Sequence, residues 1–375
     1  MTNKEINVLA PSVGNGRTLY QFSLGGAFKE LGPDRQVLTS DVFNLPTEGW
    51  IKKLVLEAGY RVLSQMPPSL YKFIRQTLDE RPLSLGSDQK RALQACFEGQ
   101  TVVSVSPVAS RILGSAGISH YGVAGDAFVQ DSWLSPAVQR LFVPFPNGDL
   151  PGIGKNQVRE TRGVLLPLPF AEINPQDKLE RAAEVGQGNE LFRVGFVTHG
   201  AGEMNTVWSL LGIRQALKDK RLHAAFFTGQ HRHLALALGA LCQGFKIPRS
   251  QMVNDCIPGT VSIWESYSPR QMAEIKGQVL PYCDLLISPT ANETSFMGPG
   301  LFRGARNRVE EANGALGQQS GWLRRLEKPP IKVWQEIGGL VIDGVSLSKM
   351  TEAFHQNVSL GVSLTVAREI LALEG

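Results

Sequence analysis

The chain has 375 residues, 42% of them hydrophobic and 19% charged, a length that suits two domains of ordinary size around packed cores. Its net charge of +4 is too small to single out nucleic acid as a partner. None of the four cysteines, Cys96, Cys242, Cys256 and Cys283, pairs at Cys-x-x-Cys spacing, which argues against a zinc site or redox pair and for free thiols in a reducing compartment. The residues from Met1 to Asn7 lack the apolar core of a secretory signal, and no run reaches about 18 apolar residues. The expectation is a cytoplasmic protein, free or peripheral on the inner face of a membrane.

The chain opens as strand, glycine turn, helix: Ile6–Ala10, then Gly14, Asn15, Gly16 and Arg17, then a helical stretch from Thr18 to Leu31. Further apolar runs at 36–38, 101–105 and 163–166 read as strands, and helical segments separate most of them. Strands alternating with helices imply parallel sheets. Between them, residues 49–80 mix apolar and basic side chains, among them Trp50, Lys52, Lys53, Tyr60, Arg61, Tyr71, Lys72 and Arg75. Such a segment is either a membrane-surface helix or an ordinary helix with a solvated basic face.

A polar stretch over 174–190 reads as a linker. After it the same grammar restarts with a strand at 191–197, a turn through Thr198, His199, Gly200, Ala201 and Gly202, and a helix over 205–218. A strand at 223–228, a helix at 231–241 and a strand at 284–288 follow. A closing helix pair is expected at 346–356 and 359–373. The reading is α/β, with two Rossmann-like domains facing a cleft: residues 1–175, residues 190–358, and a last helix over 359–375 that crosses back.

Several motifs, in order along the chain, resemble the monogalactosyldiacylglycerol synthases and processive diacylglycerol glucosyltransferases, which are glycosyltransferases of the GT-B type. The Gly14–Arg17 turn is similar to their first Gly-rich loop, with Arg17 where the family has histidine. The run from Gly125 to Trp133, continued by Pro136 and Val143, matches in register at Asp126 and Trp133, while Gln130 replaces a second family histidine. In the second half, the run from Thr198 to Met204 is similar to the family's donor loop, and the run from Thr228 to Leu234 to its next strand end. The run from Asp284 to Thr294 is similar to a motif whose two glycines are Ala291 and Asn292 here. Met297 stands where the family has glutamate, residues 314–330 look inserted, and Glu310 and Asn313 match a Glu…Asn pair that in the family lies by the donor sugar and ribose.

The resemblance implies an inverting, metal-independent transfer of a sugar from a nucleotide-sugar, UDP-linked by analogy, to a lipid or other small-molecule acceptor, with a membrane surface nearby and no cofactor. Backbone amides at Gly200, Ala201, Gly202, Glu203 and Met204 would hold the diphosphate at a helix N-terminus, with Gln230, His231, Asn292, Thr294, Glu310 and Asn313 around the donor. On the acceptor side stand Gly14, Asn15, Gly16, Arg17, Gln130 and Trp133. Arg17 stays protonated and suits a phosphate or carboxylate, so Asp126 is the candidate base that takes the acceptor's proton. Two other readings stay open: a degenerate relative that binds ligand or partners an active subunit, and a nucleotide-sugar epimerase of the same architecture.

Overall fold

The first strand, β1 (Ile6–Ala10), is buried at all five positions, as a central parallel strand covered on both faces must be. In this computed structural model the described residues are all except 1–4, 12–14, 46–84, 131–132, 146–149, 151–152, 199–202, 230, 251–256, 267, 306–307 and 344. The chain divides into two units, Met1–Ala171 with Ser359–Gly375, and Glu172–Val358.

In the first unit β1 leads into α1 (Asn15–Leu31), followed by β2 (Val37–Asp41), α2 (Ser87–Phe97), β3 (Thr101–Ser104), α3 (Pro107–Ser115), β4 (His120–Val123), β5 (Val138–Val143), β6 (Val158–Glu160) and the short α4 (Leu168–Ala171). The six strands pair in the order β2-β1-β3-β4-β5-β6, all parallel. The chain leaves β1 in one direction for β2 and returns on its other side at β3. The carboxyl ends of β1 and β3 therefore form a topological switch point, where open α/β sheets bind ligands.

The second unit runs α5 (Pro175–Gly186), β7 (Phe192–Val197), α6 (Glu203–Lys218), β8 (Leu222–Gly229), α7 (Arg232–Gly244), β9 (Val261–Glu265), α8 (Pro269–Val279), β10 (Leu285–Thr290), β11 (Gly300–Gly304), α9 (Arg308–Gln319), β12 (Leu323–Arg325), α10 (Val333–Asp343) and α11 (Val345–Asn357). Its sheet has the order β12-β11-β10-β7-β8-β9. Read from the other edge this is the dinucleotide-fold order 3-2-1-4-5-6, with its switch point between β7 and β10. One face of this sheet packs Val194, Phe196, Ala224, Phe226, Leu285 and Ile287 against α6, α7, α10 and α11.

The last helix, α12 (Val362–Glu374), belongs to the first unit and packs against α1. It is tied to the sheet by side chains. The Ser363 hydroxyl donates to the Leu166 carbonyl at 2.7 Å. Glu369 accepts from Arg140 at 2.7 Å and from Arg159 at 3.2 Å. Glu374 accepts from Thr101 at 3.0 Å and Tyr121 at 2.8 Å.

Two expectations are corrected. Residues 163–166 form no strand: Val164, Leu165 and Leu166 are buried, and a Cβ on Gly163 would lie 2.4 Å from the Ser359 carbonyl oxygen, so this run lies against the chain leading into α12. The polar stretch expected as a linker holds α5, whose Asn174 side chain caps the helix by accepting from the Gln176 amide. Most of its polar residues face solvent while Ala182 and Val185 are buried, and Arg181 turns inward to Asp284, so the polar pattern is that of an amphipathic helix. Residues 314–330 complete α9 and supply β12, which pairs with β11.

Candidate functional site

At the carboxyl edge of the first sheet, α1 begins at Asn15 just beyond β1, and Arg17 stands in its first turn. The Arg17 side chain reaches across the switch point. Nη1 donates to the carbonyl of Val105, just past β3, at 3.4 Å. Nη2 donates to Oδ2 of Asp126, just past β4, at 2.8 Å. The two side chains are 18% and 14% exposed, so the pair is mostly enclosed but still reached by solvent.

Tyr20 lies one turn along α1 on the same face as Arg17. Its ring sits beneath the guanidinium, with Cζ 5.8 Å from the ring centroid, a cation–π arrangement. Its hydroxyl donates to the Gly125 carbonyl at 2.7 Å. A Cβ on Gly125 would fall 2.0 Å from Tyr20 Cε2, so only glycine admits the ring there. Arg17, Tyr20, Gly125 and Asp126 thus form one connected group. Tyr20 was not singled out in the sequence; the signal was its i+3 spacing from Arg17 and the glycine directly before Asp126.

The other expected acceptor-side residues fall differently. Gly14 lies outside the described residues, as do residues 49–80, and Asn15 and Gly16 open α1. Gln130 is half-buried, and its carbonyl accepts from the Trp133 amide at 3.0 Å. Trp133 is 2% exposed and packs with Val129, Val138, Leu141 and Ile153. Its place is in the packed interior of this unit.

At the carboxyl edge of the second sheet two threonine side chains bind the carbonyls of neighbouring strands. The Thr198 hydroxyl donates to Phe227 at 2.6 Å and the Thr228 hydroxyl to Trp264 at 3.1 Å. Gly200, Ala201, Gly202 and Gln230 lie outside the described residues. Glu203 and Met204 form the first turn of α6, so the expected loop does end on a helix N-terminus. His231 is the N-terminal flanking residue of α7, its ring 5.8 Å from that of His233. Asn292 donates to the Thr290 hydroxyl at 3.2 Å, and Thr294 lies in the short turn Glu293–Phe296.

Glu310 is half-buried in the first turn of α9. Asn313, one turn on, is fully buried and donates to the Ala291 carbonyl at 3.2 Å. Its side chain therefore holds the loop after β10. Trp322 holds the same loop, donating to the Ser295 carbonyl at 2.9 Å. Met297, in place of a family glutamate, is 3% exposed and belongs to the interior.

Two buried histidines are neutral, and neither lies at these edges. His120 donates from Nδ1 to the Ile118 carbonyl and accepts from Ser110 at Nε2; burial pulls its pKa down to about 4. His223 sits between the Thr260 and Ser262 hydroxyls, and burial also pulls it to about 4. Among the described residues no cluster of three or more His, Cys, Asp and Glu side chains is arranged to hold a metal ion. No helix there is long and apolar enough to cross a membrane.

No protein-family model and no curated protein matches the chain. Solved structures match along nearly all of it. A Listeria monocytogenes protein assigned as a UDP-N-acetylglucosamine 2-epimerase aligns with a TM-score of 0.57 at 10% identity, over 100% of this chain and 98% of its own. Staphylococcus aureus MnaA in complex with UDP aligns at 0.54 and 12% identity, over 98% and 96%. The Neisseria meningitidis UDP-GlcNAc 2-epimerase bound to UDP-GlcNAc aligns at 0.52 and 12%, over 99% and 100%. Glycosyltransferases also match, at TM-scores from 0.43 to 0.49. The fold is thus the GT-B class of two parallel-sheet α/β units.

Proposed function

We propose that the chain uses a nucleotide-sugar and transfers its sugar to an acceptor hydroxyl. Nucleotide-sugar use is supported by the likeness, along almost the full length of each chain, to structures that hold UDP or UDP-GlcNAc; transfer to an acceptor rests on the motif resemblance and on the placement of Asp126. The second unit supports the donor role: its switch point between β7 and β10 lies beside the first turn of α6, and backbone N–H groups at such a turn stabilise a diphosphate leaving group. The first unit supports the acceptor role, because its switch point carries the carboxylate of Asp126.

In this reading the acceptor oxygen bonds to the anomeric carbon as the bond from that carbon to the diphosphate oxygen breaks. UDP leaves with the electron pair, and the hydroxyl proton passes to Asp126. The resemblance to diacylglycerol transferases points to a lipid or other membrane-proximal acceptor and to residues 49–80 as the surface-binding segment. A second reading, a nucleotide-sugar epimerase, is favoured by a specific finding: two of the three structures described above with TM-scores over 0.5, those from Listeria and Neisseria, carry epimerase names.

One experiment separates the two. The protein is incubated with UDP-glucose, UDP-galactose and UDP-GlcNAc, with and without diacylglycerol vesicles or soluble alcohol acceptors. Released UDP and sugar products are followed by mass spectrometry and NMR. Acceptor-dependent UDP release is the expected result. A C2 epimer formed without acceptor establishes the second reading instead. UDP binding by calorimetry with neither product leaves a binding module and defeats both enzymatic readings.

A further inference from the structure

We infer that Arg17 is the positioning residue for Asp126: its guanidinium holds the carboxylate at the carboxyl edge of the first sheet, ready to take a proton. The inference rests on the reading of Asp126 as the base and goes beyond it to how that base is held.

Asp126 follows the end of β4 by three residues, on an irregular segment, and a loop carboxylate without support samples several rotamers. Four contacts restrict that freedom. Arg17 Nη2 binds Oδ2 at 2.8 Å. Arg17 is itself fixed, because Nη1 is bound to the Val105 carbonyl beside β3 and the Tyr20 ring lies beneath it. Tyr20 in turn holds the backbone next to Asp126 through the Gly125 carbonyl, at 2.7 Å. The bracing therefore runs from a helix and two neighbouring strands to one carboxylate.

The chemistry also assigns the roles. A guanidinium does not release its proton in this range, so Arg17 cannot be the base. It can orient one, since its planar fork of donors suits a carboxylate. The histidine position of the resembling family is then filled by a residue that supports a base. A general base works only within hydrogen-bond reach of its proton, and misplacement by about 1 Å costs on the order of 10²-fold.

The test compares Arg17→Met, Arg17→Lys, Tyr20→Phe and Asp126→Asn with the wild-type protein. It uses the UDP-sugar and acceptor turned over in the preceding experiment. UDP affinity is measured by calorimetry and folding by thermal melting. Arg17→Met is expected to lower kcat by about 10²-fold, with the donor KM and UDP affinity within about twofold. Arg17→Lys, which keeps the charge and a single donor, is expected to recover part of that loss, and Tyr20→Phe to lose about tenfold. If Asp126→Asn loses turnover while Arg17→Met keeps it, the pair is only structural and the inference is overturned, although the base stands. If Asp126→Asn itself keeps most of kcat, the underlying reading of Asp126 fails, which is a different result. Should Arg17→Met not fold, Arg17→Lys decides: wild-type kcat in it, with its weaker hold on the carboxylate, counts against positioning.

Discussion

Each unit of the chain contains an Arg–Asp pair, and the two are built for different purposes. In the second unit Arg181 of α5 grips Asp284, the residue before β10, with two donors at 2.7 and 3.1 Å, while the Arg193 amide adds a third contact at 2.8 Å. Asp284 is 3% exposed and sits at the amino edge of its sheet. In the first unit Arg17 touches Asp126 through one nitrogen, both side chains are partly open, and the pair lies at the carboxyl edge. A closed, bidentate pair on the edge where such sheets bind nothing is a clamp. A carboxylate that is 14% exposed, on the edge where ligands bind, is within reach of a substrate. Position on the sheet and exposure of the carboxylate, rather than residue type, separate the two.

The largest expected effect breaks the clamp. Arg181→Met leaves the Asp284 carboxylate buried without its cation, and removing one partner of a buried pair costs about 3–5 kcal/mol. The urea midpoint should fall accordingly, while UDP affinity of the folded fraction stays within about twofold. Arg17→Met should behave in the opposite way, with a small change in midpoint and a large one in turnover. If Arg181→Met spares stability, burial is not what distinguishes the pairs.

The second effect tests the support under the open pair. Gly125→Ala places a methyl inside the Tyr20 ring. Either the ring or the strand end must move, and overpacking of this kind costs about 3 kcal/mol. Because Asp126 is the next residue, turnover should fall further than the loss of stability explains. Gly125→Ala with Tyr20→Leu should recover midpoint without recovering turnover.

The third effect is shared by both units. His120 and His223 have pKa values near 4 in the fold, against an ordinary value of 6.5. Between those limits the unfolded chain binds more protons than the folded one, so stability present in full above about pH 6.5 is lost as the pH falls towards 4. Each buried histidine contributes on the order of 3 kcal/mol to that loss. The second unit also holds His355, pulled down to about 4 by burial and by the nearby charge of Lys178. On acidification to pH 4.5, limited proteolysis should therefore cut the second unit first. Cleavage beginning in the first unit would remove this distinction.

Much of the fold was legible because its signals are local. The run Ile6–Ala10 and the starts of both halves follow from apolar runs, glycine turns and helical periodicity. What was missed depends on distant partners. The run at 163–166 looks like a strand until Ser359 is seen to occupy the space beside Gly163. The polar stretch at 174–190 looks loose until Arg181 finds Asp284, about a hundred residues on. At the site, sequence spacing placed Arg17 and Asp126 on one sheet edge but gave no sign that they touch. Trp133 and Asn313 matched family positions, yet burial and a bond to Ala291 turn them inward. A motif records which residue stands at a position; only packing decides which way it faces.

The smallest expected effect calibrates the comparison with a third kind of pair. Glu369 of α12 accepts from both Arg140 and Arg159. Arg159 is 57% exposed and Arg140 28%, so water and salt screen the first contact far more than the second. An exposed ion pair gains little in high dielectric and must order a long side chain, so Arg159→Ala should cost no more than about 0.5 kcal/mol. Arg140→Ala should cost about 1 kcal/mol, because it strips the more enclosed contact that ties α12 to β5. Raising NaCl to 0.5 M should erase the Arg159 effect and leave most of the Arg140 effect. Neither change should alter turnover, since Arg140 and Arg159 bind Glu369 of α12, whereas the candidate site is built around Arg17 and Asp126. A loss of turnover in Arg159→Ala would mean that α12 governs the carboxyl edge, and the separation of stabilising from functional ion pairs would then fail within the first unit.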